Sequence, residues 1–139
     1  MATRKVGFMR MSTRARYGLR MLIELARSSK ETIPLRTIAH RLGVSKKYLE
    51  RIAKTLEDSG IITATRGVKG GYRLRIDPEE IKIYDILSSL EGNLALSDCF
   101  LHHCRKESDC LANRFWLKLG QNIRSFLNRQ SLADLLEVR

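Results

Sequence analysis

Pro34-Leu-Arg-Thr-Ile-Ala-His-Arg-Leu42, then Gly43-Val-Ser45, then Lys46-Lys-Tyr-Leu-Glu-Arg-Ile-Ala-Lys-Thr-Leu-Glu-Asp58 is the stretch that decides the fold. Leu35, Ile38, Ala39 and Leu42 recur at i, i+3, i+4, i+7 and therefore share one helical face. Gly43 can adopt the left-handed conformation that ends such a helix, and Ser45 can cap the next by accepting an orphan N–H of its first turn. In that second helix Leu49, Ile52, Ala53 and Leu56 form the apolar face. Lys46, Lys47, Tyr48, Glu50, Arg51 and Lys54 are left on the outside. Two short helices, a glycine turn and a basic outer face describe a helix-turn-helix. An ordinary αα-hairpin with a solvated charged face fits this stretch almost as well, so the flanking sequence has to separate the two.

Downstream, Gly60 ends the second helix, and Ile61-Ile-Thr-Ala-Thr65 is β-branched and reads as a strand. Arg66-Gly-Val-Lys-Gly-Gly71 is a glycine-rich turn. Tyr72-Arg-Leu-Arg-Ile76 alternates apolar and basic residues, as a strand buried on one face does. A hairpin directly after a recognition helix is a wing. Its tip cations Arg66 and Lys69 can reach phosphates or a minor groove, and its glycines let the backbone approach a duplex.

Charge is distributed in the same sense. The 139-residue chain carries a net +11. Residues 1–75 hold 18 Lys/Arg against 5 Asp/Glu, whereas 76–139 hold 8 against 10. The basic excess belongs to the half with the helix-turn-helix and implies an anionic partner, nucleic acid before acidic membrane. No basic amphipathic stretch of the membrane-surface kind stands out, no apolar run approaches the roughly 20 residues of a membrane span, and the start lacks the apolar core of a secretory signal. A cytoplasmic protein is expected.

Residues 1–10 show no period and read as a flexible extension. Ser12 or Thr13 can cap a first helix carrying Gly18, Met21, Leu22, Leu25 and Ala26 on one face. The segment 1–23 contains Arg4, Lys5, Arg10, Arg14, Arg16 and Arg20 and no acid. After the wing, Asp77-Pro78 opens the next element, and Ile83, Ile86, Leu87 and Leu90 form a short helical face closed by Gly92. The longest periodic segment runs from Leu111 to Arg129. Leu111, Phe115, Trp116, Leu119, Ile123, Phe126 and Leu127 make a broad apolar stripe on a helix about 28 Å long. A small winged domain has little need of such a surface, so a homodimer interface is the economical explanation, with the stripe folded onto its own domain as the other. Ser131 can cap a short last helix. The division expected is 1–10 extension, 11–92 winged helix-turn-helix, 93–110 cysteine loop, and 111–139 dimerisation and terminal helices.

All three cysteines fall in that loop, as Asp98-Cys-Phe-Leu-His-His-Cys-Arg-Lys-Glu-Ser-Asp-Cys110. An odd number in a reducing compartment argues against a disulfide framework. Cys99, Cys104 and Cys110 can converge on one centre, and thiolates suit zinc or an iron–sulfur cluster. His102 or His103 could complete a zinc site, although their position between the first two cysteines makes them better solvent-exposed or supporting groups. His40 reads as an exposed helical residue. No nucleophile–base pair and no P-loop is present, so no enzyme is expected.

The chain resembles the bacterial iron–sulfur cluster-binding winged-helix transcription regulators of the IscR and NsrR type. The matching stretches are Met11-Ser-Thr-Arg-Ala-Arg-Tyr-Gly-Leu-Arg20, Ile38-Ala39, Val44-Ser-Lys-Lys-Tyr-Leu-Glu50, Gly60-Ile61, Arg66-Gly-Val-Lys-Gly-Gly-Tyr72, Glu91-Gly92, the cysteine trio and Ser131-Leu-Ala-Asp-Leu135. The resemblance implies a mainly α fold with a small β-wing, a homodimer on a palindromic operator in double-stranded DNA, and a [2Fe–2S] or [4Fe–4S] cluster held by Cys99, Cys104 and Cys110. IscR-like members carry a histidine three residues after the last cysteine, where this chain has Asn113, and the cysteine spacing is closer to the NsrR type. The residues expected at DNA are Ser45, Lys46, Lys47, Tyr48, Glu50 and Arg51 of the recognition helix and Arg66, Lys69 and Gly70 of the wing. Loss, oxidation or nitrosylation of the cluster would reorder the loop and respace the two readers. The rival is a cluster-free sensor in which two of the cysteines form a regulatory disulfide.

Overall fold

The computed structural model describes residues 11–28, 31–92, 94 and 110–137. In chain order the elements are α1 (Thr13–Arg27), α2 (Leu35–Leu42), α3 (Lys46–Asp58), β1 (Ile62–Thr65), β2 (Gly71–Leu74), α4 (Ile83–Glu91), α5 (Leu111–Arg129) and α6 (Leu132–Leu136). This is a mainly helical winged fold with one two-stranded antiparallel sheet. The expected extension 1–10 lies outside the described residues, as do most of 93–110 and the chain's last two positions.

The helix-turn-helix forms for the local reasons its sequence offers. Leu35, Ile38, Ala39 and Leu42 of α2 and Leu49, Ile52, Ala53 and Leu56 of α3 are all buried in one core. Each fully buried Leu or Ile contributes about 1.5–3 kcal/mol relative to an exposed one. Gly43 takes φ 70°, and the Val44 N–H reaches back to the Ala39 carbonyl at 3.1 Å. Gly60 (φ 78°) ends α3 in the same way, with the Ile61 N–H on the Leu56 carbonyl at 3.1 Å. Both closures satisfy carbonyls that the helix ends would leave bare. The Ser45 hydroxyl accepts the Tyr48 N–H at 3.1 Å.

The wing is shorter than the sequence suggests. Its ladder runs from Ile62↔Leu74 to Thr65↔Gly71, so Ile61 and Ile76 lie outside the strands. It gains a contact the sequence does not show: Ile33, just before α2, bridges Tyr72 through Ile33 N–H to Tyr72 O and Tyr72 N–H to Ile33 O, each 2.9 Å. Asp77-Pro78 opens a turn, with the Glu79 N–H on the Asp77 carboxylate at 3.0 Å; α4 begins at Ile83.

Helix α1 crosses α4 closely at Gly18, where an added Cβ would overlap the Leu90 side chain. Ser12 caps α1 by accepting the Ala15 N–H at 3.0 Å, and its own N–H donates to the Glu91 carboxylate at 2.9 Å. The Ser12 hydroxyl donates to the same oxygen. Glu91 at the end of α4 thus sits on the positive end of α1. At the other end of α4, the Ile83 N–H donates to the Gln130 carbonyl and the Leu132 N–H to the Ile81 carbonyl, each at 2.9 Å. These bonds bring the C-terminus of α5 back to the N-terminus of α4 and seat Leu132, fully buried, in the common core. Ser131 and Asp134 form a reciprocal capping box on α6. The Ser131 N–H and hydroxyl, aided by Lys82, hold the Asp134 carboxyl below its ordinary pKa.

The C-terminal part of α5 lies at the start of α4, with the Arg124 guanidinium 5.1 Å from the Tyr84 ring centroid, and α5 is the longer helix, 19 residues against 9. The expected apolar stripe splits. Trp116, Leu119, Ile123 and Leu127 are half-buried, while Leu111, Phe115 and Phe126 are exposed. One edge of the stripe turns inward, and the other is bare.

Candidate nucleic-acid interface and cysteine segment

On α3, Ser45, Lys46, Lys47, Glu50 and Arg51 are exposed, and Tyr48 is half-buried. Lys46 lies 3.9 Å from Glu50 and Lys54 lies 3.5 Å from Asp58. Both are solvent-exposed i,i+4 pairs worth at most a few tenths of a kcal/mol, so a stronger anion can capture either lysine. Lys47, Arg51, Arg66 and Lys69 have no salt-bridge partner among the described residues. Glu50 is thus paired, weakly, with a lysine of its own helix.

At the wing tip, Arg66 and Lys69 are exposed on either side of Gly67 and Val68. The Gly70 N–H closes the turn on the Gly67 carbonyl at 2.9 Å. A Cβ at Gly70 would overlap the Thr65 carbonyl oxygen and approach that of Gly67 to 2.8 Å, so the tip is built for a residue without a side chain. Tyr72 ties the wing to the lead-in of α2 through its bridge to Ile33. Burial, then the carboxylates of Glu57 and Glu50 on α3, push its phenol above the ordinary value.

Tyr48 is the site residue whose setting the sequence does not reveal. Its ring meets the edge of Tyr17 on α1 with centroids 6.1 Å apart and planes at 89°. The Arg20 guanidinium lies 5.3 Å from the Tyr17 centroid. In the sequence Tyr17 and Arg20 are legible only as members of an acid-free basic segment; nothing local links them to a residue some thirty positions away.

Of the cysteine trio, Cys110 alone is among the described residues. It is half-exposed and occupies the N-cap of α5, with its carbonyl accepting the Arg114 N–H at 3.3 Å. A sulfur there stands at the very start of a 19-residue helix. The soft sulfur donor and its position fit an iron–sulfur ligand. Cys99 and Cys104, like His102 and His103, lie outside the described residues, and no group of three metal-ligating side chains forms among the described ones. Asn113, one helical turn on, is buried. No described helix is long and apolar enough to cross a membrane.

Comparison with known proteins agrees with this architecture. Residues 11–138 match the family model described as "Rrf2: Iron-dependent Transcriptional regulator". The protein rrf2 of Nitratidesulfovibrio vulgaris is 36% identical over 131 residues, covering 92% of this chain and 87% of that one. The HTH-type transcriptional regulator IscR of Aliivibrio salmonicida is 31% identical, covering 92% and 77%. Among solved structures, the oxidized form of Staphylococcus aureus CymR superposes with a TM-score of 0.75 at 34% identity, covering 94% of this chain and 98% of that one. The chain belongs to the Rrf2 family of winged-helix transcriptional regulators, and it is a DNA-binding regulator rather than an enzyme.

Proposed function

We propose that this regulator works in the cytoplasm as a homodimer on a palindromic operator, reading it with α3 and the wing, and that Cys99, Cys104 and Cys110 hold an iron–sulfur cluster, [2Fe–2S] or [4Fe–4S], that controls its affinity. The observation that carries the reading is the position of Cys110 at the first turn of α5, the helix with the bare apolar edge. Whatever holds that sulfur also fixes the start of the helix on which two copies would meet. When bound, the cluster supplies a centre that reacts with oxidants and nitric oxide. The protein's own part is to present thiolates, to keep Cys110 at a helix N-terminus, and to join that helix at its other end to the core.

The cysteines test it. In anaerobically purified protein, each of Cys99→Ser, Cys104→Ser and Cys110→Ser should lose iron, sulfide and visible absorption to nearly the same extent, since two thiolates hold a cluster poorly. Operator affinity should follow cluster content. One variant that keeps full iron and full response rejects the three-thiolate site. The likeness to the oxidized form of CymR supports a second reading, a disulfide sensor. In that case one cysteine is dispensable and reductant restores the starting state without iron.

At the DNA, Arg66 and Lys69 supply charge, while Tyr48, Glu50 and Arg51 set sequence preference. Ser45, Lys46, Lys47 and Gly70 complete the contact surface. Arg66→Ala and Lys69→Ala should each make the slope of log K against log salt shallower by about 0.9 for every phosphate left unneutralised. Glu50→Ala releases Lys46 and removes an acceptor for a cytosine amine. Operator selection with this variant should relax at one position per half-site, and an unaltered preference throughout would remove Glu50 from the readout.

A further inference from the structure

The inner face of helix α1 is packing: Ala15, Gly18, Met21, Leu22 and Leu25 are buried. Its outer face is different. Arg14, Arg16 and Arg20 are exposed, and none has a salt-bridge partner among the described residues. The first acid of α1 is Glu24, and that carboxylate is already engaged, by Arg41 of α2 at 3.3 Å and by Arg27 at 3.9 Å. The N-terminal two-thirds of α1 is therefore an unneutralised cationic face.

Its location follows from the aromatic contact. Tyr48 is the third residue of α3, and the N-terminal residues of a recognition helix are those that approach base edges. Tyr17 stands edge-on to Tyr48, and Arg20 lies over Tyr17. The basic face of α1 consequently flanks the reading end of α3. The major groove is about 12 Å wide, close to the diameter of a helix with its side chains. A sugar–phosphate strand bordering the groove then has to pass beside whatever stands next to the inserted end. The partner of the α1 face is thus the polyphosphate backbone of the same duplex.

We propose that α1 is part of the DNA-binding surface: Arg20, steadied over the Tyr17 ring, contacts a phosphate flanking each half-site, and Tyr17 is a positioning residue that sets the Tyr48 side chain for readout. The proposal rests on α3 being the reading helix. Arg20 adds affinity without sequence information, because phosphates are alike at every position. Tyr17 acts on specificity without touching a base, through an edge-to-face pair that holds the Tyr48 ring in one orientation.

The test is a titration of the intact protein on an operator duplex and on an unrelated duplex at several salt concentrations, with operator selection in parallel. Arg20→Ala should make the salt slope shallower by about 0.9 on both duplexes, leave the selected sequence unaltered, and be rescued by Arg20→Lys. Tyr17→Leu should alter the selected sequence at the positions that Tyr48→Leu alters, and the double variant should add little to either. Tyr17→Phe, which keeps the ring edge, should behave as wild type. Arg51→Ala is the control for the underlying reading. If it weakens operator binding while Arg20→Ala leaves the slope untouched, the α1 contact is wrong and α3 still reads. If Arg51→Ala has no effect, the assignment of α3 itself falls. A loss of thermal stability in Arg20→Ala with an unaltered salt slope gives that arginine a packing role alone and overturns the phosphate contact. Independent, additive changes in selection from Tyr17→Leu and Tyr48→Leu overturn the positioning role.

Discussion

Replacing Phe115 and Phe126 together by glutamate should leave the regulator folded but monomeric, with operator affinity lowered about 100-fold or more. Phe115 is 57% and Phe126 53% exposed in the single chain, and Leu111, one turn before Phe115, is 76% exposed. These side chains contribute little to the fold that displays them, so the melting temperature of a dilute sample should hardly move. They do contribute if two copies of α5 meet along this edge, because an exposed row of large apolar side chains on a soluble protein commonly marks an association surface. Two carboxylates per protomer, brought together at a two-fold, would oppose that association through desolvation and like-charge repulsion. The affinity figure comes from geometry, since neither phenylalanine is expected at the DNA. Linking two readers makes the second binding event intramolecular, which is worth roughly 10² to 10⁴ in avidity. Light scattering on a sizing column gives the mass, and titration on full and half operators gives the affinity. A variant that elutes as the wild type does, with unaltered full-site affinity, would place the dimer contact elsewhere.

Gly71→Ala should be the most damaging single substitution in the wing. The new Cβ would overlap the Ile33 carbonyl group and lie 2.7 Å from the Pro34 nitrogen. Those atoms are backbone, and no rotamer change relieves the overlap. The Ile33–Tyr72 bridge would have to open, releasing two hydrogen bonds of 2.9 Å. At about 1 kcal/mol each, with some strain added, the destabilisation should reach about 2–4 kcal/mol, or roughly 10 °C in Tm. Operator affinity should fall as well, because the bridge fixes the wing relative to the start of α2 and hence to α3. Calorimetry and an operator titration check both parts. A variant with wild-type Tm would mean that the strand and the α2 lead-in move apart at little cost.

What the sequence makes legible is what is local. The caps at Ser12, Ser45 and Ser131, the glycine closures at Gly43 and Gly60, and the helical faces of α2 and α3 each depend on residues within one or two turns of each other. They appear in the structure where the spacing puts them, and α5 runs from Leu111 to Arg129 as its periodicity says. What is not legible is what is distant in sequence. The Ile33–Tyr72 bridge, the seat of Glu91 on Ser12 and the contact of Tyr17 with Tyr48 each join residues some thirty or more positions apart, and hydrophobic period carries no record of which distant segment a face will meet. The stripe on α5 shows the same limit: its apolar residues are visible in the sequence, but not its division into an edge on α4 and an edge left bare. At the candidate site, residue types point to cations on α3 and the wing, yet not to Glu50 pairing with Lys46. For Cys110 the sequence supplies the donor, and the fold adds its place at the start of α5.

The paired backbone at Lys82 and Ser131 has a consequence for how such a regulator can be altered. Helix α4 ends at Glu91 and the chain is back beside the start of the same helix at Gln130 and Ser131, so the sequence between is a detour whose exit and return are both pinned to one helix. Residues can be added to or removed from the detour without shifting the pins, because loop length adds closure entropy only logarithmically. At its two ends the detour is fastened to the reading half by Glu91 on Ser12 and Gln130 on Ile83. If the proposed cluster is held in it, its signal must be expressed at one of those joints, along the contact of α5 with α4, or in the way α5 would meet a second copy. Under the proposed function this is the layout of an exchangeable cartridge, in which the sensing chemistry could be replaced while the part that grips DNA is kept.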